Sequence, residues 1–154
     1  MIRCAALLFF LLPLQAQAQV PINKTKAELI GQWKKDSTIN ARCKSPFTQT
    51  ATRLKIKVAC PGDTLSVEHV YNFDKAGKCQ AYQVICSEDT LLKTEMARWL
   101  NQSIYHWQKV NENQYVSDFD SHLMIEFPPE NKRHSLTILR MDWSRELYEL
   151  LMKK

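Results

Sequence analysis

Apolar and polar residues alternate in short segments that are separated by turn residues along most of the chain. Residues 54–60 are apolar at every other position, and the alternation resumes over 65–73 after a Pro-Gly-Asp turn at 61–63. A period of two is typical of a strand with one buried and one solvated face, so these segments predict a hairpin. A second turn at 74–77 leads into 78–86, which is again apolar at alternate positions. The pattern therefore predicts a three-stranded meander.

Further alternating segments follow in the second half of the chain. The candidate strands there are 103–110, 115–119, 123–127, 135–141 and 146–152. Turns at such regular spacing favour an antiparallel barrel or sandwich over an α/β fold. The sequence therefore predicts an all-β, antiparallel fold.

Two internal segments and the last one are compatible with helices. Residues 90–100 place apolar side chains at helical spacing, and Ser87 and Asp89 are available as N-caps, so a short helix is predicted there. A second short helical stretch is predicted near 26–30. The last segment, 144–154, is rich in Leu, Glu and Lys and fits either a helix or a strand, and we favour a strand.

The first 18 residues have the layout of a cleavable secretory signal peptide. A positively charged start precedes an apolar run over 5–14, and Ala16-Gln17-Ala18 has the small-x-small form that signal peptidases accept. Cleavage after Ala18 leaves one domain, 19–154, in the periplasm or outside the cell. The apolar run is shorter than the ~20 residues that a transmembrane helix needs, which predicts no stable membrane insertion.

Charge and motifs narrow the function classes. The formal net charge is +5, from 21 basic and 16 acidic residues that form no runs of like charge. A nucleic-acid-binding protein carries a clustered basic patch with interleaved aromatic residues, so no nucleic acid is predicted as a partner. The four histidines lack ligand-like spacing, and the chain has neither a Gly-rich phosphate loop nor a Gly-x-Ser-x-Gly elbow. We therefore predict no catalytic residue, no metal and no cofactor, and we do not expect an enzyme.

An even number of cysteines in an oxidising compartment predicts two disulfides beyond the signal segment. The candidates are Cys43, Cys60, Cys79 and Cys86. Cys79 and Cys86 lie in one predicted strand, where seven steps of about 3.3 Å separate them by ~23 Å, beyond the ~7 Å that a disulfide spans. The turn positions predict Cys60 opposite Leu65 and Leu65 opposite Cys86. We therefore favour Cys43–Cys79 with Cys60–Cys86 over the crossed pairing, Cys43–Cys86 with Cys60–Cys79.

Three segments carry a family resemblance. The Gly-Gln-Trp triplet at 31–33 stands just inside the mature start, the hairpin 70–79 follows the first meander turn, and a Ser-Asp-Phe triplet occupies 117–119. The first triplet is similar to the Gly-x-Trp entry to the first strand of lipocalins, and the last triplet resembles a second lipocalin motif, Thr-Asp-Tyr. The hairpin resembles one in small lipocalin-like domains exported by bacteria. This resemblance to the calycin group implies an up-and-down antiparallel barrel with one or two short helices.

The resemblance also implies roles for individual residues. Gly31 and Trp33 are expected at the entry to the first strand, with Trp33 plugging one end of the barrel. The guanidinium of Arg140 is expected over the Trp33 ring, as a cation–π pair worth roughly 1 kcal/mol. The side chains expected to line the lumen are partly aromatic with polar tips, and they are Val67, His69, Tyr71, Phe73 and Tyr82.

Two functions from different classes are compatible with such a barrel. The first is an exported binding protein that holds a small hydrophobic or amphipathic ligand in the lumen. The alternative is a protein-interaction domain, such as an accessory or inhibitory subunit, with a filled barrel, no ligand and an exposed working surface. A packed interior favours the second function, whereas a cavity of several hundred Å3 favours the first.

Overall fold

The fold is seen in a computed structural model of the chain. The structure describes residues 20–35, 46–59, 62, 64–128 and 134–153. The predicted signal peptide, 1–18, lies outside the described residues, as do Cys43 and Cys60. Export from the cytoplasm therefore stays a prediction.

The described residues form three α-helices, eight strands and one turn of 3-10 helix at Ser103–Tyr105. In chain order they are α1 (Lys26–Lys35), β1 (Phe47–Gln49), β2 (Arg53–Ala59), β3 (Ser66–Phe73), β4 (Cys79–Cys86), α2 (Asp89–Leu100), β5 (Gln108–Asn111), β6 (Gln114–Val116), β7 (Leu123–Glu126), β8 (Ser135–Arg140) and α3 (Arg145–Met152). The predicted meander is confirmed by β2, β3 and β4, and the predicted helix at 90–100 is confirmed by α2. The preference for a strand over 144–154 is wrong, since that segment forms α3.

All eight strands belong to one antiparallel sheet, in the order β1-β2-β3-β4-β8-β7-β6-β5. The first four strands form one meander and the last four form another, and β8 joins the two by pairing with β4. The all-β, antiparallel prediction is confirmed. The predicted closed barrel is wrong for the described residues, because β1 and β5 stand at the two ends of an open sheet.

One face of the sheet is apolar across its central strands. Paired residues in an antiparallel sheet point to the same side, so the registers place one continuous row on this inner face. The row runs through Leu54, Tyr71, Tyr82, Ile138 and Ile125. Each of these side chains is almost fully buried. The inner face is therefore the main hydrophobic surface of the molecule.

The inner face is covered by α1 and α2. Leu29 of α1 and Leu92 and Trp99 of α2 are buried in the same cluster as the inner-face side chains. The opposite, outer face carries mostly polar side chains and includes an ion pair between Lys55 and Glu68 at 3.0 Å. The domain is thus one sheet with two helices on a single side, with the core between them.

The strand register differs from the one predicted for the cysteines. The structure pairs Val67 with both Val58 and Cys86, so these three residues lie at one level of the sheet. Leu65 was predicted opposite Cys86, which is an error of two residues. The β2–β3 pairing places Ala59 opposite Ser66, as the predicted turn at 61–63 implies, so the difference arises in the β3–β4 hairpin, where the register shifts between Asn72 and Phe73.

A pair of neighbouring substitutions tests the assignment of the two faces. Leu136→Ala should lower the free energy of unfolding by about 2–5 kcal/mol, because Leu136 is fully buried on the inner face. Thr137→Ala, one residue along on the outer face, should change it by less than ~1 kcal/mol. Chemical denaturation midpoints of the two variants provide the measurement, and equal losses would contradict the assigned faces.

Candidate functional site

The five residues predicted to line a lumen lie together on the inner face. His69, Tyr71, Phe73 and Tyr82 are buried, and Val67 is partly buried against the same core cluster. The structure therefore brings the predicted set together, beneath the two covering helices. These side chains pack as part of the hydrophobic core.

Three of these residues form ring contacts and hydrogen bonds with tryptophans of the covering helices. We call the five side chains involved the aromatic network: Trp33, His69, Tyr71, Tyr82 and Trp99. The indole N–H of Trp33 donates to the Tyr71 hydroxyl at 2.9 Å, and His69 Nδ1 lies 2.7 Å from the Tyr82 hydroxyl. Ring centroids are 4.8 Å apart for Trp33 and His69 and 4.9 Å apart for Tyr71 and Tyr82. The network therefore joins α1 to β3 and β4 through both ring packing and hydrogen bonds.

Burial keeps the ionisable members of the network uncharged at neutral pH. Burial, with a smaller contribution from the nearby Arg98 charge, lowers the pKa of His69 to about 4. Burial likewise raises the pKa of Tyr71 and of Tyr82 above the ordinary tyrosine value. A neutral His69 can accept or donate a hydrogen bond, so the network suits positioning rather than proton transfer near pH 7.

The structure corrects the roles expected for Gly31, Trp33 and Arg140. Gly31 and Trp33 lie in α1, so they do not begin a strand, and Trp33 is only half-buried rather than a plug. The guanidinium of Arg140 donates to Asn23 Oδ1 at 2.8 Å and pairs with Asp74 Oδ2 at 2.6 Å. Arg140 therefore joins the end of β8 to the segment before α1 and to the β3–β4 turn, instead of stacking on Trp33.

A polar stripe on α2 was missed by sequence reasoning. Glu95 Oε2, Trp99 Nε1 and Gln102 Oε1 are buried and have no hydrogen-bond partner among the described residues. The other oxygen of the Glu95 carboxylate, Oε1, pairs with the Arg98 guanidinium at 3.5 Å, and Gln102 Nε2 donates to the Arg98 carbonyl at 3.4 Å. Glu95 and Trp99 are one turn apart in the predicted helix, whereas Gln102 follows the end of α2. We call these three residues the α2 stripe.

Cys79 and Cys86 are free thiols at opposite ends of β4, which confirms that they do not bond to each other. Burial raises the pKa of the Cys79 thiol to about 12 and that of Cys86 to about 11. Since a thiolate is the reactive form, we expect both thiols to react slowly in the folded protein. Both predicted pairings require Cys79 and Cys86 to be bonded to Cys43 and Cys60, so the two predicted disulfides are not formed in the structure.

The largest apolar side chains on the surface include two leucines of α3. Leu147 is 57% exposed and Leu150 is 64% exposed, and no residue of this helix is buried. Glu146 and Glu149 are exposed beside them. We call these four residues the α3 patch. Neither leucine belongs to the hydrophobic core cluster.

An open polar groove of about 850 Å3 lies near the end of β8. The residues lining it include Gln80, Asp120, His122, Arg140 and Asp142. Among the described residues, no group of three or more His, Cys, Asp or Glu side chains is arranged to hold a metal ion. No helix in the described part of the chain is both long and apolar enough to cross a membrane.

Comparison with known proteins gives no relative for this chain. No family model, no curated protein and no solved structure matches it. The lipocalin resemblance therefore stays a hypothesis from the sequence, and the site is interpreted from its own residues.

The buried His69 should make stability depend on pH. Its folded pKa of about 4 lies below the ordinary 6.5, so the unfolded chain binds more protons between these values. The free energy of unfolding is therefore not reduced by His69 above pH 6.5. It should fall by about 3 kcal/mol as the pH drops towards 4. Denaturation of wild type and His69→Gln from pH 4 to 8 measures this, since the variant lacks the contribution.

His106→Asn serves as the matched control, because His106 is exposed and has a left-handed backbone that asparagine tolerates. This control should follow the wild-type curve. Identical slopes for wild type and His69→Gln would contradict a buried, neutral His69.

The two thiols should react slowly in the folded protein and rapidly once it is unfolded. At pH 8, iodoacetamide should modify Cys79 and Cys86 only after denaturant is added, because burial holds both thiols protonated. Peptide mass mapping distinguishes these positions from Cys43 and Cys60. Rapid modification without denaturant would contradict their burial, and no modification in denaturant without reductant would indicate the disulfides predicted from sequence.

Proposed function

We propose that this chain is an exported protein-interaction domain that binds a partner protein through the α3 patch. The observation that carries this proposal is the exposure of Leu147 and Leu150 on a helix that is otherwise fixed to the body of the domain. Exposed apolar side chains grouped on one element are typical of interaction surfaces. The packed aromatic network supports a surface function in place of a ligand within the sheet.

The helix that carries the patch is preformed. The Ser144 side chain caps its N-terminus by accepting from the Leu147 amide at 3.2 Å. The Tyr148 hydroxyl donates to the Ser117 carbonyl at 2.9 Å, and the Tyr148 ring packs against Phe119 and Trp143. A helix held in this way loses little conformational entropy when it binds, which favours affinity.

The apolar side of α3 is wider than the surface that covers it. At 3.6 residues per turn, the apolar side chains span an arc of roughly 200°. This arc comprises Leu147, Tyr148, Leu150, Leu151 and Met152. Tyr148, Leu151 and Met152 are partly covered by the body of the domain, whereas Leu147 and Leu150 form the uncovered side. The uncovered side is therefore available to a second molecule.

The residues beside the leucines indicate the chemistry of the partner. Leucines at positions i and i+3 are the anchors by which an amphipathic helix binds an apolar groove. Two carboxylates, Glu146 and Glu149, and one ammonium group, Lys153, are exposed beside the leucines, so the net charge there is negative and favours a groove with a basic rim. We therefore expect a partner protein with an apolar, basic-edged cleft, in the compartment to which the signal peptide directs this chain.

Site-specific photo-crosslinking in cells that export the chain tests this function. A benzophenone side chain in place of Leu150 should give one discrete protein adduct, because this position is expected to enter the partner's groove. The same group in place of Ile104, which is 50% exposed elsewhere, should give no such adduct. Ile104 is the matched control for exposure alone.

Second substitutions show whether the adduct depends on the α3 patch. Leu147→Ser should abolish it while changing the melting temperature little, because Leu147 is exposed. Glu146→Lys with Glu149→Lys should weaken it strongly, whereas Glu112→Lys, on the exposed β5–β6 turn, should not. An adduct only with lipid or with a second copy of this chain would contradict the proposal, as would no adduct at all.

A further inference from the structure

The core accounts for two of the four cysteines of the predicted mature chain. Cys79 and Cys86 lie at opposite ends of β4, where both are buried and free. The other two are close to β1 and β2 in the sequence. Cys60 comes directly after the last residue of β2, and Cys43 precedes Phe47, the first residue of β1, by four positions. The pairing of β1 with β2 therefore bears directly on Cys43 and Cys60.

The register of β1 and β2 is set by the described residues. Phe47 lies opposite Ile56 in an antiparallel pairing that is continuous through β1. The pairing runs on past the end of β1, because the Lys57 amide donates to the Pro46 carbonyl at 3.2 Å. In an antiparallel pair, each step back along one strand is matched by one step forward along the other. Four steps beyond Phe47 and Ile56, the same register brings position 43 opposite position 60.

The type of pair decides whether two opposite cysteines can bond. Opposite residues alternate between hydrogen-bonded pairs and non-hydrogen-bonded pairs, and the Cα atoms of the second type are about 4.5 Å apart. Pro46 and Lys57 are a hydrogen-bonded pair, so the pair three steps further on, at 43 and 60, is of the second type. A disulfide needs Cα atoms about 4.4–6.8 Å apart and side chains on the same side, and opposite residues meet both requirements.

We propose that Cys43 and Cys60 form a disulfide across β1 and β2, and that it is the only disulfide of the mature chain. It forms by exchange with a protein or small-molecule disulfide. One cysteine thiolate attacks that disulfide and releases a thiol, and the second thiolate then attacks the bonded cysteine sulfur and releases the other thiol. The chain loses two electrons and two protons, and the oxidant gains them as two thiols. The proposal does not depend on the α3 patch.

This bond would fasten the outermost strand of the sheet. β1 has only three residues, and all three are exposed, so burial contributes little to holding it in place. A crosslink between Cys43 and Cys60 encloses β1, the following turn and β2 in one loop, which restricts the unfolded chain. We therefore expect β1 to pair with β2 more stably when the bond is present.

Peptide mapping tests the bond on the mature chain, refolded in a mixture of glutathione and glutathione disulfide. The folded protein is alkylated with iodoacetamide in denaturant without reductant and digested with trypsin. The cysteines then fall into three peptides, 43–44, 58–75 and 79–93. Peptide 43–44 should be linked to 58–75, and 79–93 should carry two alkylated cysteines. Alkylation of all four cysteines, or any link to 79–93, would overturn the proposal.

Melting measurements test whether the bond holds the strand. Reductant should lower the melting temperature of the wild type by about 10 °C, because it opens a loop of this length. The double variant Cys43→Ser with Cys60→Ser is the matched control. It should melt at the temperature of the reduced wild type, with or without reductant. A wild-type melting temperature that reductant leaves unchanged would show that no such bond stabilises β1 and β2.

Discussion

The fold depends on covering the single apolar face of one open sheet. Two covering helices, α1 and α2, meet that face through Leu29, Leu92 and Trp99, and burial of apolar area there provides the main stabilisation. The contact between the helices and the sheet is not purely apolar, because Trp33 reaches the Tyr71 hydroxyl and Trp99 packs against Tyr82. Directional contacts of this kind fix the position of each helix as well as its burial.

Because the apolar face of the sheet must be covered, some side chains maintain the fold and others remain available for binding. His69, Tyr71 and Tyr82 are occupied by contacts with one another and with the helices, so they are unavailable to an outside molecule in the packed state. In contrast, α3 lies off the inner face, and its uncovered leucines add nothing to the core. Surface recognition by α3 therefore leaves the core packing undisturbed.

Local patterns in the sequence predicted the first meander well and the wider arrangement poorly. Alternation within 54–59, 66–73 and 79–86 reports directly on a half-buried strand, and turns between these segments fix their order. The pairing of β8 with β4 joins segments about fifty residues apart, and no local pattern encodes it. The Gly-Gln-Trp triplet at 31–33 is compatible with either a strand or a helix, and the residues around it determine that it is helical.

The candidate sites show the same limit. The inner-face positions of His69, Tyr71 and Tyr82 followed from their period-two spacing. Whether these side chains line a cavity or pack in the core depends on the positions of α1 and α2, which the spacing does not give. The α2 stripe became visible only when burial was known, since an exposed Glu95 or Gln102 would need no partner. Apolar residues in α3 fit both a short strand and a short helix, and the Ser144 cap favoured the helix.

Amide hydrogen exchange tests most directly whether α1 and α2 are integral to the core. If the two helices and the inner face form one cooperative unit, the amides of α1, α2 and the central strands β3, β4 and β8 should all exchange only through global unfolding, with similar free energies. Protected central strands beside rapidly exchanging α1 and α2 would show that the helices open independently of the sheet, and would contradict the fold as described.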